Sequence, residues 1–313
     1  MIRLLSVFCS VALLATLGCT VVEEKRKPEC RSLLGEHLFA PELSEETRTN
    51  REAQLAEAEA RLAQTPNDVE ALIWVGRRTA YLGRYNDAIA VFNRAIENHP
   101  DDPRLYRHRG HRFITLRKFD RAIEDLERAA ELTAGQPDSV EPDGLPNARN
   151  IPTSTLQSNI WYHLGLAYYL KGDFEQALRC YRECLKVSNN PDMLCATSHW
   201  LYMTLRRLGL EDEAAVVLEP IDEGMDVIEN QAYHELLLMY RGERDPEELW
   251  ARAVASDDPL DPASLGYGVG NWYRVDGDAE RAEAVFDQIL EAGNWPSFGH
   301  IAAEAEVSRS RSD

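Results

Sequence analysis

The feature that most constrains this chain is a repeat of 34 residues. Five pairs of similar residues recur at that spacing: Gly76 and Gly110, Tyr85 and Phe119, Ala88 and Ala122, Phe92 and Leu126, Ala95 and Ala129. A fixed period of this length is typical of arrays in which each unit packs only on its neighbours. Apolar residues recur at helical spacing within each unit, and a glycine near its middle permits a tight turn. The period therefore predicts stacked pairs of antiparallel helices.

The repeat resembles the unit of the tetratricopeptide-repeat (TPR) family, which has the same length. Residues 69–102 contain WVGRRTAYLGRYNDAIAVFNRAIENHPDD, and 103–136 repeat that pattern. The best agreement is in residues 158–191, at these positions: Trp161, Leu164, Gly165, Tyr168, Gly172, Phe174, Ala177 and Tyr181. Further units are expected at 195–228, 229–262 (degenerate) and 263–294. The resemblance implies an all-α fold, a superhelical solenoid of TPR helical hairpins.

The ends of the array are predicted to be capping helices that hide its terminal apolar faces. Ser44 can cap a first helix, and residues 297–308 carry a narrow apolar stripe, so the solenoid is expected to span 44–308. Residues 20–43 have no sustained period and predict a flexible tether. Residues 133–154 contain four prolines, which no helix can accommodate, and form an insertion that is either functional or disordered.

The first residues resemble a bacterial lipoprotein signal. Arg3 precedes an apolar run from Leu4 to Leu17, and Gly18-Cys19 follows it. The resemblance implies a signal peptide over 1–19 and an exported protein that is anchored through a lipid on Cys19. Because Thr20 follows the cysteine, the resemblance also implies a location on the periplasmic side of the outer membrane, if the host has one. A signal peptide without lipid and a buried apolar helix are the alternatives.

Two cysteines further along the chain are candidates for a disulfide. Cys184 and Cys195 are separated by a predicted helix junction, and disulfides persist outside the cytoplasm. The alternative is that both are buried free thiols, which behave as small apolar residues.

The resemblance also implies that the first helix of each hairpin lines a concave groove. The residues at the inward-facing positions form the predicted partner-binding groove: Arg77, Arg104, Arg107, His111, Tyr162, Tyr169, His199 and Arg206. Residues 69–122 contain eleven Lys or Arg against six Asp or Glu, whereas the whole chain has a net charge of −19. The groove is therefore expected to bind an acidic protein or peptide. In the alternative, these arginines are solvated and pair with acids of neighbouring repeats.

No set of residues indicates catalysis, a cofactor or a metal. His108 and His111 share a helix face, but they lack a third ligand and are surrounded by arginines. The overall negative charge argues against nucleic acid and leaves the lipid anchor as the expected membrane contact. We therefore expect a non-enzymatic interaction scaffold or adaptor at the bacterial cell envelope. The alternatives are a binding protein for a small anionic ligand covered by the insertion and an enzyme with a site at the insertion.

Overall fold

A computed structural model describes residues 27–258 and 260–311 of the chain. These residues form fourteen helices and one two-stranded antiparallel sheet, β1 (Cys30–Arg31) and β2 (His37–Leu38). The helices are α1 Glu45–Gln64, α2 Val69–Tyr81, α3 Tyr85–Asn98, α4 Pro103–Thr115, α5 Phe119–Thr133, α6 Leu156–Lys171, α7 Phe174–Val187, α8 Pro191–Arg207, α9 Glu211–Val217, α10 Gln231–Tyr240, α11 Pro246–Val254, α12 Asp261–Val275, α13 Ala279–Glu291 and α14 Phe298–Ser310.

Consecutive helices pack as antiparallel hairpins, which confirms the predicted all-α TPR solenoid. The regular hairpins are α2/α3, α4/α5, α6/α7, α8/α9 and α12/α13. In the degenerate unit, α10 packs on α8 and α12, while α11 packs on α12. α9 is short because it ends at Val217, just before Pro220, which has no backbone N–H for a helical hydrogen bond.

A glycine and a large residue sixteen positions later set the spacing within four of the hairpins. A Cβ atom added to Gly76 would lie 2.4 Å from the ring of Phe92, too close for any side chain. The same contact recurs in these pairs: Gly110 with Leu126, Gly165 with Tyr181, and Gly270 with Phe286. The glycine therefore lets the large side chain of the second helix lie directly on the backbone of the first.

The N-terminal segment is ordered from residue 27, so the predicted flexible tether is wrong for residues 27–43. The backbone carbonyl and the carboxylate of Glu29 both accept hydrogen bonds from Asn86, at 2.7 to 2.9 Å. The indole N–H of Trp295 donates to the Phe39 carbonyl at 2.9 Å. The sequence does not predict the structure of this segment, because strands of two residues have no periodic pattern. Residues 1–26, which include Cys19 and the predicted signal peptide, lie outside the described residues.

The last helix, α14, packs on α12 and α13 and also reaches α6. Nine consecutive residues, 299–307, are buried, so the helix is surrounded on nearly all sides. α14 is therefore more than a cap with one apolar stripe, because it fills space on the inner side of the solenoid. Within the described part of the chain, none of the helices combines the length and apolar character needed to cross a bilayer.

Candidate functional site

The predicted groove residues lie on the first helices of the hairpins, but the groove is not open. Four of the eight are buried: Arg107, Tyr162, Tyr169 and His199. The prediction of an open concave face is therefore wrong for these four residues.

The later helices of the chain close the groove. Tyr169 is covered by α12, where Tyr267 donates a hydrogen bond to its hydroxyl at 2.8 Å. The ring of His199 stacks on two tyrosines of α10, Tyr233 and Tyr240, with centroid distances of 4.7 and 5.9 Å. Residues of the degenerate unit and the last hairpin thus occupy the space in which an extended partner was expected.

Arg104 and Arg206 are engaged by other residues of the chain. Arg104 forms ion pairs with Glu70, one repeat earlier, at 3.0 Å and with Asp102 at 2.7 Å. Arg206 donates to the Tyr202 hydroxyl at 2.9 Å and lies 3.9 Å from Asp276. These two arginines fit the alternative in which the basic side chains pair with acids of neighbouring units.

Two glutamates of α14 form buried ion pairs with arginines of the inner surface. Arg117 pairs with Glu304 at 2.5 Å, and Arg207 pairs with Glu306 at 2.6 Å. Burial alone would raise the pKa of the Glu306 carboxyl, but nearby guanidinium groups, Arg207 first, lower it overall. The basic inner face thus pairs with two glutamates of a helix of the same chain.

Arg117 is a residue that the sequence analysis missed. Its φ is 59°, in the left-handed region, and four other hairpins have glycine at the equivalent position: Gly83, Gly172, Gly209 and Gly277. A non-glycine residue in this conformation is strained by about 1 kcal/mol. The replacement of the repeat's glycine by arginine was the signal that could have revealed a residue with a special contact.

The insertion lies across the basic side of the first two repeats. Glu141 pairs with Arg107 at 2.9 Å, and Arg77 donates to the Pro142 carbonyl at 2.8 Å. At its other end, Arg149 pairs with Asp226 at 2.7 Å. The insertion is therefore tied to both sides of the molecule, which contradicts the disordered alternative.

A cavity of about 250 Å³ lies between α2, α4, α6 and the insertion. It brings together three of the predicted groove residues, Arg77, Arg107 and His111. Its other lining residues are Ala80, Tyr81, Phe92, His108, Arg112, Glu141, Asn159 and His163.

Several polar groups of the cavity lack partners within the described residues. The buried Nε atoms of Arg77 and Arg107 and the Oε2 atom of Glu141 have no hydrogen-bond partner. Arg112 contacts the face of the Tyr85 ring, at 5.8 Å from its centroid, but no carboxylate of residues 27–258 or 260–311 pairs with it. Burial lowers the pKa of Arg112 to about 10, so this guanidinium stays charged at neutral pH.

The cavity histidines are neutral at pH 7. Burial, and then the adjacent arginines, lower the pKa of His108 and His111 well below the usual 6.5. Burial and Arg107 do the same for His163, whose Nδ1 lies 2.6 Å from the Asn159 carbonyl. The charged groups of the cavity are therefore three guanidinium groups and one carboxylate.

The candidate disulfide is not formed in this structure, where Cys184 and Cys195 are both free and buried. The Cys184 sulfur lies 3.2 Å from the Thr197 hydroxyl and 3.4 Å from the Ser158 carbonyl. Burial raises the pKa of the Cys184 thiol to about 11 and that of Cys195 to about 12. Both thiols thus pack as small core residues, as the interpretation of buried free thiols expects.

Metal ligation finds no support in the residues that the structure describes, where no three His, Cys, Asp or Glu side chains are grouped to hold an ion.

Comparison with known proteins identifies the repeats. Tetratricopeptide-repeat models match residues 158–191, 50–103 and 76–139. With the observed hairpins, these matches show that the chain contains tetratricopeptide repeats. Such folds serve in general as protein–protein interaction scaffolds.

Individual relatives are distant. A 141-residue stretch is 26% identical to BBSome complex member BBS4 of Bos taurus and covers 45% of this chain, but only 23% of that protein. Among solved structures, MamA covers 64% of this chain and 89% of its own, with 17% identity and a TM-score of 0.42. YrrB, described as a TPR protein with an unusual peptide-binding site, covers 80% of this chain and 97% of its own, with 14% identity and a TM-score of 0.41.

Proposed function

We propose that this chain is a non-enzymatic interaction scaffold of the bacterial cell envelope that binds an acidic protein segment at the insertion. The observation that carries this proposal is that the insertion exposes three large apolar side chains. Val140, Leu145 and Ile151 are 61%, 58% and 44% exposed. Apolar groups displayed on a segment that is fixed at both ends are suited to anchor a partner.

Charge supports an acidic partner at this place. The insertion lies on the two repeats that contain the basic excess of residues 69–122, in a chain whose net charge is −19. An acidic segment would be steered towards these repeats and repelled from the rest of the surface. Its carboxylates would meet partly exposed arginines such as Arg78, while its apolar residues would contact the insertion.

The envelope location rests on the N-terminal sequence. The apolar run that ends at Gly18-Cys19 predicts export and a lipid anchor, so the solenoid would be held close to a membrane surface without spanning it. The partner would then be another exported or membrane-attached protein.

Site-specific photo-crosslinking in cells tests the partner surface. A photoreactive residue placed at Val140 or Leu145 is expected to capture the same protein, which mass spectrometry identifies. Val254, 53% exposed at the end of α11, is the matched control and is expected to capture little of it. Replacing Leu145 with Asp, with the photoreactive residue at Val140, should abolish the crosslink. Equal capture from Val254, or capture that is insensitive to Leu145→Asp, would contradict the proposal.

A further inference from the structure

The cavity under the insertion has more positive charge than its own residues neutralise. Glu141 pairs with Arg107 alone among the lining arginines, while Arg77 donates to a carbonyl and Arg112 has no ion pair within the described residues. Arg77 and Arg112 thus form no direct ion pair within the described residues, and the charge of Asp143, on the insertion, interacts with that of Arg77 only at longer range. A half-buried guanidinium group that has no carboxylate partner is a ready donor to an anionic ligand.

From this arrangement we infer that the cavity binds a compact dianion of small-metabolite size, either a phosphate monoester or a dicarboxylate. Two negative charges would neutralise the two remaining guanidinium groups. Water can fill the same space and accept hydrogen bonds, but it cannot compensate the charge. The site goes beyond the proposed function, because binding of a protein at the outer face of the insertion does not require it.

The donors of the cavity match the oxygens of such a ligand. The unused Nε groups of Arg77 and Arg107 and the free fork of Arg112 offer N–H donors, which bind carboxylate and phosphate oxygens in pairs. The lowered pKa of His111 keeps its imidazole neutral, so it can donate or accept a hydrogen bond. Ala80 and Phe92 provide an apolar wall for a short carbon skeleton.

The size of the cavity limits the ligand. Its volume of about 250 Å³ lies slightly below the ~300–1,000 Å³ that is usual for sites of drug-sized molecules. A nucleotide or a peptide would not fit, whereas a molecule with one phosphate or two carboxylates would.

The insertion forms one wall of the cavity, through Glu141. Gly144 packs directly against the rim, since an added Cβ atom would lie 1.8 Å from the Tyr81 hydroxyl and 2.8 Å from the Arg77 guanidinium. Arg78 also donates to the Gly144 carbonyl at 2.8 Å. The contacts that close the cavity are thus a few hydrogen bonds and one ion pair, which can open without unfolding a helix.

Isothermal titration calorimetry of the purified full chain tests this inference, with inorganic phosphate and succinate as separate probes. At least one probe is expected to bind with a Kd of about 1 mM or tighter. The probe that binds more tightly shows whether the dianion is a phosphate monoester or a dicarboxylate. Arg112→Met should weaken binding by about tenfold or more, and Arg112→Lys by less, because lysine keeps the charge but loses the fork. Arg112 has no ion pair to break, so both variants are expected to fold.

Arg104→Met is the matched control, because Arg104 lies on the same helix but outside the cavity lining. It should leave the affinity within about twofold of the wild type. Binding of neither probe to the wild-type chain, or equal weakening by Arg104→Met and Arg112→Met, would overturn the inference. Capture of a partner at Leu145 tests the proposed function independently of these results.

Discussion

Arg107 of α4 and Glu141 of the insertion form an ion pair of 2.9 Å in which their side chains are only 8% and 10% exposed. A buried pair of this kind is a specific connection, because separating it leaves two charges in a poorly solvated place. It joins the irregular insertion between the second and third repeats to the basic surface that the repeats build. The insertion is therefore part of the inner architecture of the solenoid.

The contact between Arg117 and Glu304 should dominate the docking of α14. Their side chains are 3% and 1% exposed, so Arg117→Met leaves a buried carboxylate without its partner. For Arg117→Met we expect the free energy of unfolding to fall by about 3–5 kcal/mol. For Arg117→Gly the fall should be smaller by about 1 kcal/mol, because glycine relieves the backbone strain at this positive φ. Urea unfolding followed by circular dichroism measures the change.

The exposed pair of Arg84 and Asp87 supplies a control for that experiment, since those side chains are 51% and 59% exposed. Arg84→Met should cost less than about 1 kcal/mol. If Arg84→Met and Arg117→Met lowered the free energy of unfolding by similar amounts, the contact of Arg117 with α14 would add nothing to stability.

The histidines of the cavity predict a loss of stability in mild acid. The folded-state pKa of His108, His111 and His163 lies well below 6.5, with Arg107 and Arg112 nearby. The unfolded chain therefore binds more protons below about pH 6.5, and each histidine lowers stability by up to about 1.4 kcal/mol per pH unit there.

Thermal melting at pH 7.5 and pH 5.5 checks this expectation. His111→Gln should reduce the difference in Tm between the two pH values. A Tm that is the same at both pH values would show that the three imidazoles are not held neutral.

The close contact of the hairpin glycines predicts that an added methyl group overpacks the hairpin and lowers its stability. In Gly76→Ala the added methyl would lie 2.4 Å from the Phe92 ring, so the ring or the helix must shift. We expect a loss of about 1–3 kcal/mol in the free energy of unfolding. Combining Gly76→Ala with Phe92→Leu should cost less than the sum of the two single changes, as measured in a double-mutant cycle. Strict additivity would contradict the contact.

The lipid anchor is tested at Cys19. Cys19→Ala should yield an unprocessed or soluble form on membrane fractionation, because the residue that accepts the lipid is removed. Unchanged fractionation would refute the anchor without affecting the solenoid.

Much of the fold could be predicted because a repeat encodes it locally. Gly76 and Phe92 are only sixteen residues apart, and their counterparts recur every 34 residues. The docking of α14 could not be predicted in this way, since Arg117 and Glu304 are separated by 187 residues and belong to no common pattern.

The candidate site could be predicted in part, because the same repeat determines which residues share a surface. The repeat placed Arg77, Arg107 and His111 on one surface, and the structure brings them to one cavity. Arg112 and Glu141 were missed because their roles depend on closure of the inner surface and on the path of the insertion. Neither leaves a periodic signal.

In the proposed function, a partner binds the insertion while the inner groove stays closed by α14. Hydrogen–deuterium exchange of the full chain, alone and with the protein captured through Leu145, tests it most directly. We expect slower exchange in peptides covering residues 139–151 and unchanged protection of α14. Faster exchange in α14 with no change in the insertion would contradict it, because the partner would then have entered the groove by displacing that helix.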